Sequence, residues 1–78
     1  MGKRQQIIYC LSKVQQMLDY LDPDKKWRII YESNMNYKGS EYFSIYNNDN
    51  VKLYSVDVTG DSVLTAIEEL MCLLARKF

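Results

Sequence analysis

The side chains able to do chemistry in this chain are few and poorly matched to one another. The sequence holds no histidine and two cysteines, Cys10 and Cys72. Without histidine it lacks the usual base at physiological pH and the commonest metal ligand. Two distant cysteines without other soft ligands do not make a metal site. Each lies in a helical pattern, so both are expected to be reduced, buried thiols acting as small hydrophobes. Asp57 and Asp61 invite reading as a carboxylate pair for acid–base work. Their positions fit a strand end and a helix cap better. The acids Asp19, Asp22 and Asp24 lack the Gly and Glu positions of a calcium loop and read as solvated groups at a helix end. Gly60-Asp61-Ser62 precedes a helix, but the glycine spacing and the lysine of a phosphate loop are missing. No serine has a base to activate it. The expectation is a protein that is not an enzyme and has no catalytic residue, cofactor or metal.

The elements that carry these residues follow from periodicity. Ile7, Ile8, Leu11, Val14, Met17, Leu18 and Leu21 fall at steps of three and four, predicting a helix over about residues 4–21. Asp22-Pro23-Asp24 ends it, because proline disfavours helical geometry in the residue before it. Residues rich in β-branched and aromatic side chains predict strands over about 26–33, 41–46 and 51–58. Asn34 to Ser40 reads as a turn region, and Asn47-Asn48-Asp49-Asn50 as a hairpin loop. Val63, Ile67, Leu70, Leu74 and Phe78, widened by Leu64, Met71 and Leu73, predict a closing helix over about 62–77. Asp61 or Ser62 is its expected N-cap. Arg76 and Lys77 suit its C-terminal dipole.

The chain of 78 residues is thus expected to be a single α+β domain in the order α-β-β-β-α. Both helices pack their stripes on one face of a three-stranded antiparallel meander. A two-residue loop at Asn48-Asp49 sets Tyr46 opposite Val51, Ser44 opposite Leu53, and Phe43 opposite Tyr54. Phe43, Ile45, Tyr54, Val56 and Val58 then form the core face. Tyr42, Tyr46, Val51 and Leu53, with Ser44 and Ser55 between them, form the other. That second set is too apolar for a plain solvent surface, and tyrosine is enriched at interfaces. A register shift or a bulge would bury part of it. The face taken by Trp27, Ile29 and Tyr31 stays open, because Ile30 points the opposite way and is also apolar.

The order of elements, at a similar length, resembles the double-stranded-RNA-binding domain. That family carries a phosphate-gripping lysine cluster at the start of its second helix. Here the stretch is Asp61-Ser62-Val63-Leu64-Thr65-Ala66, followed by Glu68 and Glu69. The resemblance covers topology alone and carries no function. Ten basic and ten acidic residues cancel to a net charge of zero, which argues against a general nucleic-acid binder. Lys25, Lys26 and Arg28 around Trp27 make at most a weak basic patch, so nucleic acid is the alternative reading. No signal peptide, myristoylation motif or membrane span is expected, which places the protein in the cytoplasm.

The functional expectation is a protein-binding module. Its surface is Tyr42, Tyr46, Val51 and Leu53, joined by Tyr31 or Trp27. The same face suits a self-complementary homodimer. Size and an AT-rich style of composition point to the small interaction proteins of phages and mobile elements. Some of those bind and inhibit host proteins such as CRISPR effectors, which would place this chain in the host cytoplasm.

Overall fold

Helix α1 (Lys3–Leu21) lays Cys10, Val14 and Leu18 against the sheet at steps of four. Ile7, Leu11, Met17 and Leu21 flank that line and pack at its margin. Ile8, expected in the stripe, is 58% exposed. The helical period turns it away from the buried line. The helix stops at Asp22, whose N–H donates to the Leu18 carbonyl at 3.0 Å and whose backbone has left helical geometry. Pro23 follows, lacking the N–H that a further turn needs.

This computed structural model describes residues 2–34, 39–58 and 63–78. Strands β1 (Arg28–Asn34), β2 (Ser40–Tyr46) and β3 (Lys52–Asp57) form an antiparallel sheet in the order β1-β2-β3, and helix α2 (Val63–Lys77) closes the α-β-β-β-α sequence. Lys26, expected within the first strand, belongs instead to the turn before it and takes φ 54°. That left-handed geometry cannot continue an extended ladder. The expected caps Asp61 and Ser62, and most of the turn between β1 and β2, lie outside the described residues.

Both helices cover one face. Ile29, Phe43, Ile45, Val56 and Val58 join Cys10, Val14 and Leu18 of α1 and Val63, Ala66, Ile67, Leu70 and Leu74 of α2 in one buried cluster. Burying a side chain of this kind contributes about 1.5–3 kcal/mol. A domain this small has only roughly 4–12 kcal/mol of net stability, so few of these residues are dispensable. Cys10 is buried as expected, and burial pushes its thiol up to about 11. Cys72 departs from expectation: it is exposed, on the face of α2 away from the Val63, Ile67, Leu70 and Leu74 line.

The helices run in the same direction along the sheet. At one end, Lys3 of α1 pairs with Glu41 and donates to the Val58 carbonyl at 3.3 Å, just before α2. At the other end, Phe78 after α2 packs 6.3 Å from the Trp27 ring. The Trp27 indole N–H in turn donates to Asp22 Oδ2 at 3.0 Å, at the end of α1.

Gln15 covers the start of the outer edge of β1. Its Nε2 donates to the Trp27 carbonyl at 2.8 Å, and its Oε1 accepts the Ile29 N–H at 3.0 Å. The carboxamide thus occupies the place of a fourth strand there. Filling an open edge in this way blocks pairing with another chain.

Candidate functional site

The candidate site is the sheet face turned away from the helices, and the β2–β3 hairpin decides its composition. Asn47 organises that hairpin. Its Oδ1 accepts the N–H groups of Asp49 and Val51, each at 2.9 Å. Its N–H donates to the Val51 carbonyl at 3.1 Å, and its carbonyl accepts from Asn50 at 3.1 Å. Asn50 takes φ 61°, a left-handed geometry that asparagine tolerates well. The loop is therefore three residues long, not two, and Tyr46 pairs with Lys52 instead of Val51. Asn47 is the local signal for this longer loop, because its short carboxamide can cap a turn within its own chain.

A second irregularity follows at once. Between the Tyr46–Lys52 and Ile45–Tyr54 pairs the ladder shifts by one, leaving Leu53 as the extra residue of a bulge. The two single-residue shifts sum to an even number. Side chains in the body of the sheet therefore keep the faces expected of them, with Phe43 opposite Val56 and Ser44 opposite Ser55. At the tip the assignment changes. Leu53 packs against the core instead of lining the open face. Lys52 takes its place beside Tyr46, with Nζ 5.7 Å from the ring centroid. Val51 lies beyond β3 at the hairpin tip and is exposed.

Trp27 and Tyr31 also leave the expected site. Tyr31 pairs with Phe43, so it sits on the core face, its ring 5.8 Å from the Phe43 ring. Burial is the first cause of its raised phenol pKa, and a hydrogen bond to Glu41 adds to it. Trp27 packs at the core margin against Phe78. Both aromatics are held by the core and its polar rim.

The open face consists of three rows across the strands. Arg28, Tyr46 and Lys52 make a basic row at the hairpin end. Ile30, Ser44 and Ser55 make the middle row. Glu32, Tyr42 and Asp57 make an acidic row at the far end. Ser44 is fully buried at the floor of the central strand. Its Oγ donates to Glu32 Oε2 at 3.3 Å and lies 3.4 Å from Ser55 Oγ, which can donate in return. Tyr42 hydrogen-bonds Glu32, and the carboxylate charge is the first cause of its raised phenol pKa. Tyr42, Tyr46 and Ile30 are half-buried. Ile30 is the apolar residue that the face gains, and the paired Ile29-Ile30 was its signal in the sequence.

Arg28, Ile30, Glu32, Tyr46 and Asn50 line a shallow hollow of about 240 Å³. That falls below the roughly 300–1,000 Å³ of small-molecule pockets. It suits one anchoring side chain from another surface. A wider groove of about 450 Å³ lies at the foot of α1, lined by residues that include Asp19, Lys26 and Trp27. Beside this groove, Asp19 accepts from Gln15 at 3.0 Å and Asp22 accepts from the Trp27 indole N–H. Asp57 lies on the open face, and Asp61 falls outside the described residues. No helix among the described residues is long and apolar enough to cross a membrane.

Comparison of the chain with protein-family models, with curated proteins and with solved structures gives no match.

Proposed function

We propose that this chain is a non-enzymatic protein-binding module that docks its partner on the open face of the sheet. The observation that carries this reading is the set Ile30, Tyr42 and Tyr46, half-buried around the fully buried Ser44 on the face opposite both helices. Aromatic and aliphatic groups with a charged rim are the anatomy of a protein interface. The hollow between Ile30 and Tyr46 offers a seat for an anchor residue, the kind of contact that dominates binding energy. The narrower form of the reading is a phage or mobile-element protein that binds and inhibits or modulates a host protein such as a defence effector. It draws its support from the small size and the composition.

The test is a double substitution, Ile30→Lys with Tyr46→Lys, compared with the unmodified chain in affinity capture and in titration against the captured partner. Both side chains lie on the open face, so the thermal melt should stay close to that of the parent. Binding should weaken by at least about tenfold, the effect of losing roughly 1.4 kcal/mol at one anchor. Unchanged affinity in the folded variant contradicts the reading.

A further inference from the structure

We infer that the occupant for which the open face is built is a second copy of this chain, related by a two-fold axis that lies between the sheets and crosses the strands. This deepens the docking reading above and rests on it. The order of chemistry along the face carries it. The two outer strands each change sign about their centre, and the central strand carries a tyrosine at either end. On β1 the sequence is Arg28, Ile30, Glu32. On β2 it is Tyr46, Ser44, Tyr42, and on β3 it is Lys52, Ser55, Asp57.

A two-fold axis along the middle row Ile30–Ser44–Ser55 turns the basic end of one copy over the acidic end of the other. Arg28 then meets Glu32, Lys52 meets Asp57, and Tyr46 meets Tyr42, each pair occurring twice. Ile30 meets Ile30 near the axis. The alternative two-fold, parallel to the strands, lays Arg28 over Lys52 and Glu32 over Asp57. Like charges in a desolvated interface reject that arrangement. The face is thus self-complementary in one orientation and self-repelling in the other, which is what an isologous interface requires. Two such sheets pack about 10 Å apart, rotated by about 30° through their twist.

The face is small. Three strands at about 4.8 Å spacing and six or seven residues at about 3.3 Å give a flat footprint of about 300 Å² per copy, below the roughly 800 Å² per partner of a standard specific interface. The dimer is therefore weak and transient, held by its charge pairs and populated only at high protein concentration. Zero net charge leaves little long-range repulsion to oppose it.

Sedimentation equilibrium over a wide concentration range tests this with four samples, each checked for folding by circular dichroism. The unmodified chain should show a monomer–dimer equilibrium that weakens as salt rises. Arg28→Glu with Lys52→Glu makes both ends acidic, and Glu32→Lys with Asp57→Lys makes both ends basic. Each double variant alone should dimerise at least about tenfold more weakly. Their equimolar mixture should recover the dimer, because every end now meets its opposite. Glu32 also holds Ser44 and Tyr42, so loss of folding in that variant calls for the exposed single pair Lys52→Glu and Asp57→Lys in its place. A chain that stays monomeric at every concentration up to about 1 mM overturns the inference. So do charge variants that dimerise like the parent, and so does a folded mixture that stays monomeric. None of these results touches the docking reading, which falls only if the Ile30→Lys, Tyr46→Lys variant keeps its affinity for a partner.

Discussion

Lys52 stands opposite Tyr46, with its ammonium 5.7 Å from the ring centroid, because the hairpin gains one residue in its loop and the ladder gains another at Leu53. That pairing converts an expected patch of tyrosines and aliphatics into a face with a basic end. It also sends Leu53 to the core.

The hairpin geometry depends on Asn47. Asn47→Ala removes two side-chain hydrogen bonds to backbone N–H groups. The loop is exposed, so water replaces part of what is lost. A destabilisation of about 1–2 kcal/mol is expected in urea denaturation, with the slope unchanged. Asn47→Asp keeps the acceptor and should recover most of it.

Gln15 supplies both a donor and an acceptor to the edge of β1. Gln15→Glu keeps the acceptor for Ile29 N–H but sets a carboxylate against the Trp27 carbonyl. Gln15→Ala leaves both backbone groups to water. The expected order of melting temperatures is parent, then Ala, then Glu, with the Ala change costing about 1–2 kcal/mol. Amide exchange at Ile29 should quicken in both variants. Equal stability of all three would remove the strand-mimicking role.

The two thiols should separate cleanly by reactivity. Cys72 is exposed, whereas Cys10 is buried with its pKa raised to about 11. The thiolate is the reacting species, so Cys10 is shielded by both burial and protonation. A maleimide at neutral pH should label one cysteine in the folded protein, identified as Cys72 by peptide mass. Denaturant should expose the second. Rapid native labelling at Cys10 would contradict the packing of α1.

Acid should weaken the link between α1 and the sheet. Hydrogen bonding from Lys3 is the first cause that lowers the Glu41 pKa below its ordinary value of 4.5, and Tyr31 adds to it. A lowered folded pKa means that the unfolded chain takes up the proton first as pH falls. The stabilisation is therefore complete above about the ordinary carboxylate value, and is lost as pH drops through the depressed one. Glu41→Gln should flatten the fall in stability below pH 4.5 and lower stability modestly at pH 7. An unchanged acid slope would show that Glu41 takes no part.

The elements were legible because each has a strong period. The Cys10, Val14, Leu18 line and the Val63, Ile67, Leu70, Leu74 line are stripes that only a helix can bury together. The faces of Phe43, Ile45, Tyr54 and Val56 were legible despite a wrong register, since two one-residue shifts preserve alternation. The tip was not. Whether Leu53 or Lys52 joins Tyr46 depends on a bulge, and a bulge has no local signature when both neighbours fit a strand. Trp27 and Tyr31 were ambiguous because Ile29 and Ile30 are equally apolar, and only the helices above the sheet choose between them. Gln15 showed nothing in sequence, because its role depends on a strand edge brought to it by the fold.

Backbone amide spectra recorded through a dilution series show directly whether a second copy of the chain docks on the open sheet face. Concentration-dependent shifts should cluster at Arg28, Ile30 and Glu32, at Tyr42, Ser44 and Tyr46, and at Lys52, Ser55 and Asp57. Shifts centred instead on the exposed helical side chains Ile8, Tyr9, Tyr20 and Leu64, or no shifts at all, would contradict it.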